Sequence, residues 1–347
     1  MRVLITGHCG YIGPVMTRVF HGAGHEVVGF DTGYFRDQIS GELKDEHPDF
    51  EFVGDIREIG HEVFAGVDAV IHLAALSNDP LGNVAAEQTQ AINVGGTRRC
   101  AEQARAAGVP RFVLASSCSI YGSAGGDVPI DENGRVAPVT AYARSKVEGE
   151  QLLESLQRDD FEPILLRNAT AYGASPRMRL DLVLGNVMAY AHATGKIRVL
   201  SDGTPWRPLL HIEDLSRAAL AAAEAPIGSL PYHVFNVGGR DCNYQVKDIA
   251  EIASAALGNC PIEITGENGN DPRSYRVDFT RVFTHLKGYQ PTWNLAAGAQ
   301  EMVRWFADKP KALETLLSER FVRLERLRNL RAANRIDESF RWVPQVA

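Results

Sequence analysis

The sequence lacks the cysteine and histidine patterns that mark many disulfide-bonded and metal-binding proteins. Its five cysteines, among 347 residues, contain no CxxC spacing, and its ten histidines form no HExxH motif. Motifs of that kind bring ligand atoms to the short distances that a metal ion needs. We therefore expect neither a metal site nor a disulfide.

Long apolar runs and an excess of positive charge are also lacking. No stretch approaches the roughly 18 apolar residues that a membrane-spanning helix needs. The 43 acidic residues outnumber the 36 basic ones, giving a net charge of −7, which argues against a general nucleic-acid surface. An apolar run already starts at Val3, which leaves no room for a signal peptide. We expect a cytoplasmic protein with neither a membrane nor a nucleic-acid partner.

The N-terminal residues have the pattern of a strand, a glycine loop and a helix. The apolar run Val3–Ile5 precedes residues 7 to 13, which read GHCGYIG, and helical periodicity continues to about Phe20. Such a loop lets backbone N–H groups approach a pyrophosphate, which then lies at the positive end of the helix dipole. The pattern predicts a dinucleotide site.

An acidic residue follows the second apolar run. Residues 26 to 30 form this run, and Asp31 comes directly after it. A carboxylate there accepts both hydroxyls of an adenosine ribose and repels a ribose phosphate, which indicates NAD rather than NADP.

A serine and a tyrosine–lysine pair follow further along the chain. Ser117 lies in LASSCSIYG, and Tyr142 and Lys146 lie in YARSK. Residues four apart share a helix face, so the lysine can stabilise a tyrosine phenolate. Lowering a tyrosine pKa from ~10 to neutrality needs roughly 4 kcal/mol. A cation about 4 Å away supplies on the order of 4 kcal/mol at an effective dielectric of about 20. The pattern predicts a base that acts on a hydroxyl group, although a packed helix tyrosine is the alternative.

Strand-like runs separated by helix-length segments predict the fold class. They occur at residues 2–6, 26–30, 50–53, 68–73, 111–116 and 162–167, with a further strand at 233–237. This alternation predicts an α/β fold with a doubly wound parallel sheet of the Rossmann type. We expect the NAD-binding domain to include residues 1–172 and about 207–240. A smaller, discontinuous α/β substrate lobe should comprise residues 173–206 and 241–309.

The C-terminal residues 310–347 are predicted to form a helical extension. Six leucine and phenylalanine residues recur near helical spacing between Pro310 and Ala333, which predicts an amphipathic helix. It would pack on the second lobe or make an oligomer contact. Its five arginines would form a solvated face, or one of them would reach a ligand phosphate.

These motifs resemble the extended short-chain dehydrogenase/reductases, in the nucleotide-sugar epimerase and dehydratase group. Beside GHCGYIG and YARSK, the matching segments are Gly54–Arg57, His72–Ala75, Asn93–Thr97, Ser116–Gly122 and Trp206–Leu215. The resemblance covers roughly residues 1 to 310 and implies NAD as the cofactor and a nucleotide-diphosphate sugar as the substrate. We also expect a homodimer.

The resemblance implies a role for each site residue. Tyr142 is the acid/base, Lys146 orients the nicotinamide ribose and lowers the tyrosine pKa, and Ser117 hydrogen-bonds the reacting hydroxyl. The implied cofactor-binding residues are Gly7, Gly10, Tyr11, Ile12, Gly13, Asp31, Asp55, Ile56, Leu73, Ala74, Ala75, Asn93, Ser116, Tyr142, Lys146 and Asn168. The candidate substrate-binding residues are Ser117, Thr170, Arg179, Arg207 and Arg273.

The substrate residues differ in how strongly they are indicated. Arg207 is implied as a diphosphate ligand, because a guanidinium fork can bind two phosphate oxygens. Arg273 is a second candidate, with an exposed surface position as its alternative. Thr170 stands where the epimerases usually have asparagine. Arg179, in a segment similar to that of bacterial GDP-heptose 4-dehydrogenases, contacts substrate or forms a salt bridge.

Several reactions are compatible with this set of residues. If a 4-keto sugar intermediate regains the hydride on its other face, the enzyme is a 4-epimerase. If the keto sugar leaves, the enzyme is a 4-dehydrogenase, and if it first loses water, a 4,6-dehydratase. The dehydratases have an Asp-Glu pair where this chain has Cys118 and Ser119, which weighs against dehydration. A catalytic role for the Cys118 thiol is a further option, against a small buried cysteine. We expect a 4-epimerase first and a 4-dehydrogenase second, with a non-catalytic NAD-binding scaffold as the hypothesis from another class.

Overall fold

The computed structural model describes residues 1–40, 43, 45–77, 85–124, 128–267 and 273–344. Within them, seven parallel strands form the main sheet. These strands are β1 (Arg2–Thr6), β2 (Glu26–Asp31), β3 (Phe50–Val53), β4 (Ala69–His72), β5 (Arg111–Ser117), β6 (Glu162–Asn168) and β10 (Val234–Val237).

The central strands of this sheet are covered on both faces. Val3, Leu4 and Ile5 are consecutive and all fully buried, as is typical of parallel sheets with helices on either side. The order across the sheet is β10-β6-β5-β4-β1-β2-β3, so the connection direction reverses between β1 and β4. Such a reversal opens a crevice at the carboxyl ends of the strands. The predicted α/β fold with a doubly wound Rossmann sheet is confirmed.

Helices connect and cover the strands. They are α1 (Gly13–Gly22), α2 (Ala86–Thr89), α3 (Gly96–Ala106), α4 (Ala141–Leu156), α5 (Val183–Thr194), α6 (Ile212–Glu224), α7 (Val246–Ala256), α8 (Thr280–His285), α9 (Leu295–Phe306), α10 (Leu313–Leu316) and α11 (Arg323–Ala332). A π-helical turn, Gln90–Gly95, joins α2 to α3, and short 3₁₀ turns cover Ile56–Glu58, His61–Phe64 and Cys118–Tyr121. No helix among the described residues is long and apolar enough to cross a membrane.

Five short strands form a second, smaller group. β7 (Thr170–Tyr172) and β11 (Asn243–Gln245) flank β9 (Trp206–His211), while β8 (Ile197–Val199) pairs with β12 (Ile262–Ile264). A separate apolar core lies beside them and includes Leu184, Met188, Ile249 and Met302. The boundaries of the two predicted domains stay a prediction.

The C-terminal segment differs from the single amphipathic helix that the leucine spacing predicts. A turn at Ser318, whose carbonyl accepts from the Phe321 and Val322 amides, separates α10 from α11. Phe321 enters the core of the second lobe, whereas Leu327 and Leu330 pack in a core of the main sheet. The expectation of one helix packed on the second lobe was therefore wrong, because the apolar side chains on either side of the turn enter different cores.

Candidate functional site

A cavity of about 550 Å³ opens at the carboxyl ends of the main-sheet strands. Its volume lies within the range of about 300–1,000 Å³ that is typical of ligand sites. Side chains from both strand groups line it. The predicted residues that line it are Gly7, Gly10, Tyr11, Ile12, Gly13, Asp31, Asp55, Ile56, Leu73, Ala74, Ala75, Ser116, Ser117, Tyr142, Lys146, Asn168, Thr170, Arg179, Arg207 and Arg273.

The glycine loop is held too close to its neighbours for larger residues. The Gly7 amide donates to the Phe30 carbonyl at 2.8 Å, and Gly7 has a φ of +78°. A Cβ on Gly7 would lie 2.7 Å from the backbone nitrogen of Ala74, and a Cβ on Gly13 would lie 2.3 Å from the His8 carbonyl oxygen. Only glycine keeps the loop backbone beside the cavity at these two positions.

Replacing Gly7 by alanine tests this close approach. Gly7→Ala is expected to lower the free energy of unfolding by roughly 1–3 kcal/mol from the backbone conformation alone. The clash with Ala74 adds to this loss and displaces the loop, so affinity for NAD should fall too. Urea unfolding and a binding titration measure both effects. The matched control is Gly22→Ala, because a Cβ on Gly22 meets nothing within 4 Å. Equal losses in the two variants would contradict the assigned role of the loop.

Two carboxylates line the end of the cavity beside β2 and β3. Asp31 accepts hydrogen bonds from the Cys9 amide at 3.0 Å and the Gly33 amide at 2.7 Å. Each of its oxygens keeps further acceptor capacity. Asp55 accepts from the Arg57 amide and side chain at 2.9 Å. Although burial raises the pKa of Asp55, these bonds outweigh it and hold the pKa below its usual range.

Tyr142 and Lys146 lie on α4, one turn apart. Thr140 caps the helix by accepting the Ala143 amide at 3.1 Å, which fixes the first turn that carries Tyr142. The Lys146 Nζ lies 5.7 Å from the centre of the Tyr142 ring and donates to the Ala115 carbonyl at 2.7 Å. Burial lowers the pKa of Lys146 to about 8, with a nearby carboxylate opposing the shift. The ammonium is therefore still mostly present at neutral pH.

A buried ion pair lies beneath the lysine. Glu150, one helical turn after Lys146, accepts from Arg167 Nη2 at 2.8 Å and from its Nε at 3.1 Å. The Ser116 hydroxyl also donates to Glu150. Arg167 Nη1 in turn donates to the Tyr121 hydroxyl at 3.1 Å. This network fixes α4 against β5 and β6 and supplies the carboxylate that favours the charged lysine.

Asn93 is the exception among the predicted cofactor residues, because it does not line the cavity. Its Oδ1 accepts the Leu76 amide at 2.8 Å, and its Nδ2 donates to the Ser145 hydroxyl at 2.9 Å. The Ser145 hydroxyl donates to the Tyr142 carbonyl at 2.7 Å. Asn93 therefore connects the segment after β4 to the first turn of α4, and its role in cofactor binding stays a prediction.

The predicted substrate residues line the same cavity, and Thr170 and Arg207 reach it from strands of the second group. Arg207 Nη1 donates to the carbonyl of Arg273, so the two candidate diphosphate ligands are neighbours. Arg179 makes two hydrogen bonds to Asp181, at 2.9 and 3.0 Å, and donates to the Ser77 hydroxyl at 3.1 Å. Arg179 therefore forms the salt bridge that was one of its two alternatives, and it also lines the cavity.

Cys118 and Ser119 point in different directions. The Cys118 thiol is buried in the sheet core and donates to the Arg167 carbonyl at 3.1 Å. Burial raises the pKa of this thiol well above its ordinary value, so it is not a base for the cavity. Ser119 instead lines the cavity. Spacing could have identified it, because it lies two residues after Ser117, whose hydroxyl accepts its amide at 3.1 Å.

The sequence also did not assign two charged residues that line the cavity. Asp181 is the ion-pair partner of Arg179, and Arg323 comes from α11. Arg323 is 4% exposed, so the solvated face expected for the C-terminal arginines does not hold for this residue, while the alternative, contact with a ligand phosphate, stays a prediction. No local pattern distinguishes it from the exposed Arg328.

One group of potential metal ligands lies next to the glycine loop. The side chains of His8, Cys9 and Glu51 have ligand atoms within 4.8 Å of one another. His8 Nε2 is 2.7 Å from Glu51, and an Arg36 nitrogen is equally close to that carboxylate. Burial, reinforced by Asp31, raises the pKa of Cys9 to about 12 and keeps the thiol protonated. The absence of a metal site stays a prediction.

Two buried polar atoms in the cavity are consistent with a polar ligand. Asn168 Oδ1 and Ser119 Oγ have no hydrogen-bond partner within the described part of the chain. Unsatisfied buried polar atoms are costly and are usually paired by a ligand or water. Together with the tight glycine loop and the two carboxylates beside β2 and β3, they fit a dinucleotide along the strand ends.

Comparisons with known proteins agree with this site. A model of the NAD dependent epimerase/dehydratase family matches residues 3–238. The UDP-glucose 4-epimerase of Neisseria gonorrhoeae is 30% identical, over 89% of this chain and 98% of its own. The dTDP-glucose 4,6-dehydratase of Streptomyces niveus is 28% identical, over 92% and 96%. The solved structure of MoeE5 in complex with UDP-glucuronic acid and NAD has a TM-score of 0.75 and 26% identity, over 88% and 98%.

The match to the family model covers more than half of the chain, and the similar proteins are named as enzymes. The expectations of an enzyme and of NAD as its cofactor are therefore confirmed, against the hypothesis of a non-catalytic scaffold. The chain belongs to the NAD-dependent epimerase/dehydratase family, among the extended short-chain dehydrogenase/reductases.

Proposed function

We propose that the protein is a nucleotide-sugar 4-epimerase that works through a transient 4-keto sugar. The observation that carries the proposal is that Ser117, Tyr142 and Lys146 line the same cavity as the paired arginines Arg207 and Arg273. A sugar whose diphosphate is bound by the arginines could present a ring hydroxyl to Tyr142. The relatives named UDP-glucose 4-epimerase support the same reaction.

Three side chains of the cavity take part in the proton transfer. Tyr142 removes the proton of the C4 hydroxyl, and Ser117 hydrogen-bonds the same oxygen. The Lys146 ammonium stabilises the phenolate, and its bond to the Ala115 carbonyl holds it in place. Bound NAD supplies reversible acceptance of the C4 hydride. Inversion requires that the keto sugar turn over before the hydride returns to the other face of C4, while Tyr142 returns the proton to the oxygen.

The carboxylates of the cavity argue against dehydration. Those lining its described part are Asp31, Asp55 and Asp181. Elimination of water needs an acid and a base beside the sugar, and the first two lie at the predicted adenosine end. Burial raises the pKa of Asp181, but Arg179 outweighs it and holds the pKa below its usual value. An ionised carboxylate that accepts two hydrogen bonds is poorly suited to protonate a leaving hydroxyl.

A 4-dehydrogenase is the second candidate. The Arg179–Asp181 pair, in the segment similar to that of GDP-heptose 4-dehydrogenases, lies in the cavity and could contact a sugar. The two reactions share the first oxidation. They differ in whether NADH must leave after each turnover.

A panel of UDP-, GDP-, dTDP- and CDP-sugars distinguishes these reactions. The pure protein is incubated with each sugar nucleotide, and NADH absorbance and product stereochemistry are followed together. We expect inversion at C4 without net NADH. Stoichiometric NADH would instead support the dehydrogenase, and a deoxy product the dehydratase. A Tyr142→Phe sample is the control for contaminating activity.

A further inference from the structure

A buried cation reaches the cavity from near the end of the chain. Arg323 is the first residue of α11 and lines the cavity although it is 4% exposed. Its Nη1 donates to Gln38 Oε1 at 2.8 Å, and its Nη2 donates to the Arg177 carbonyl at 3.0 Å. The guanidinium carbon lies 4.2 Å from the centre of the Phe35 ring. Its hydrogen-bond acceptors within the described chain are thus neutral.

The charges around Arg323 favour an anion. Arg177 and Arg179 are close enough to oppose its charge, while Asp181 is engaged by two hydrogen bonds from Arg179. Burial and then Arg179 lower the pKa of Arg323 to about 9, despite opposing effects of Asp181 and Asp31. A buried guanidinium without an ion-pair partner costs free energy, which a bound anion would offset.

The position of Arg323 indicates which anion is suitable. Phe35 and Gln38, which contact it, follow β2, whose last residue is Asp31. Asp31 is joined to the glycine loop by the Cys9 amide. The glycine loop and the start of α1 form the predicted pyrophosphate site. The sugar-nucleotide diphosphate has its own candidate ligands in Arg207 and Arg273, so the cofactor pyrophosphate is the better match for Arg323.

Arg323 belongs to the C-terminal segment Arg320–Trp342, which we call the clamp. The rest of the clamp packs on the two segments that line the predicted adenosine end. On the segment after β2, Arg326 forms an ion pair with Asp37 at 2.8 Å, and Trp342 Nε1 donates to the Thr32 carbonyl at 2.7 Å. On the segment after β3, Arg57 donates to the Ser339 carbonyl at 2.8 Å. Because of these contacts, ordering of the clamp is coupled to ordering of the two segments that line the adenosine end.

We propose that the clamp completes the cofactor site, with Arg323 binding the NAD pyrophosphate and the remaining contacts slowing NAD release. The inference requires the NAD site but does not depend on which sugar reaction follows. A cofactor that exchanges slowly suits a reaction that returns the hydride to the sugar. It suits a dehydrogenase poorly, because NADH must then leave in every turnover.

Binding of cofactor fragments to Arg323→Gln tests the pyrophosphate contact. Affinity for NAD and ADP-ribose should fall roughly 10- to 100-fold, as expected for a lost charge-assisted hydrogen bond, while affinity for adenosine changes less than about twofold. The NAD dissociation rate should rise correspondingly, and Arg323→Lys should recover part of the loss. The matched control is Arg328→Gln, because Arg328 is exposed on the same helix and pairs only with Glu325 among the described residues. Unchanged ADP-ribose affinity, or an equal loss for adenosine, would overturn the proposal.

Two further measurements separate the proposal from its alternatives. Titration of the NAD-loaded protein with UDP and GDP should give the same affinity for wild type and Arg323→Gln. A loss confined to UDP or GDP would assign Arg323 to the substrate and refute the cofactor contact. Hydrogen exchange of the wild-type protein avoids any folding defect: ADP-ribose should protect the amides of α11 clearly more strongly than adenosine does. Absence of protection by ADP-ribose would contradict the clamp, whatever the sugar panel shows about epimerisation.

Discussion

Replacement of Tyr142 by phenylalanine is expected to lower turnover by roughly 10²–10⁴-fold, the usual contribution of a positioned acid/base. The variant keeps the ring and loses only the phenol oxygen. Lys146, which lies 5.7 Å from the ring centre, keeps its bond to the Ala115 carbonyl. The free energy of unfolding should therefore stay close to the wild-type value.

The effect should be confined to the chemical step. The loss appears in kcat, because the proton of the C4 hydroxyl has no acceptor with the same position on α4. Single-turnover formation of NADH, in the presence of any accepted sugar nucleotide, should slow by the same factor. Ser117 is poorly suited to take over the role, because its hydroxyl already accepts the Ser119 amide at 3.1 Å.

A tyrosine away from the cavity provides the control. Tyr232 is 41% exposed, and its replacement by phenylalanine should leave turnover within about twofold of wild type. Turnover of Tyr142→Phe within a few-fold of wild type, on every accepted sugar nucleotide, would refute the assignment of Tyr142. A parallel fall in the free energy of unfolding would indicate disturbed structure instead.

The features that the sequence predicts are indicated by residues that lie near one another along the chain. The glycine loop requires a positive φ and close packing at Gly7, which no other residue type satisfies well, and the role of Asp31 is predicted from its position at the end of β2. Tyr142 and Lys146 share a helix face at a fixed spacing. These features depend on neighbouring residues and on the period of a helix or strand, so a single sequence is enough to find them.

The remaining parts depend on contacts between distant residues. Arg326 and Asp37 are 289 positions apart, and nothing in the spacing of the C-terminal leucines indicates which core they enter. Asn93 shares a family motif with cofactor-binding segments but bonds to Leu76 and Ser145. Burial of Arg323, unlike Arg328, follows only from the fold. Such side chains require the tertiary structure.

Removal of Arg167 should cause the largest loss of stability among single replacements in the site network. Arg167 and Glu150 are 7% and 4% exposed and are joined by hydrogen bonds as short as 2.8 Å. Arg167→Met leaves the Glu150 carboxylate buried without its guanidinium, and we expect the free energy of unfolding to fall by about 3–5 kcal/mol. Urea unfolding of the full chain measures this change.

Two further variants show whether the loss comes from the isolated charge. Arg198→Met breaks an exposed ion pair with Glu267, of similar length at 2.9 Å, and should cost only about 0–1 kcal/mol. The double replacement Arg167→Met/Glu150→Leu removes both buried charges and should recover most of the stability, because apolar groups replace a desolvated pair. Lys146 then loses the carboxylate that raises its pKa, so its ammonium is deprotonated at a lower pH. As the pH is raised, turnover of the double variant should therefore decline earlier than turnover of the wild type. A double variant no more stable than Arg167→Met would mean that packing around Arg167, and not the unpaired carboxylate, causes the loss.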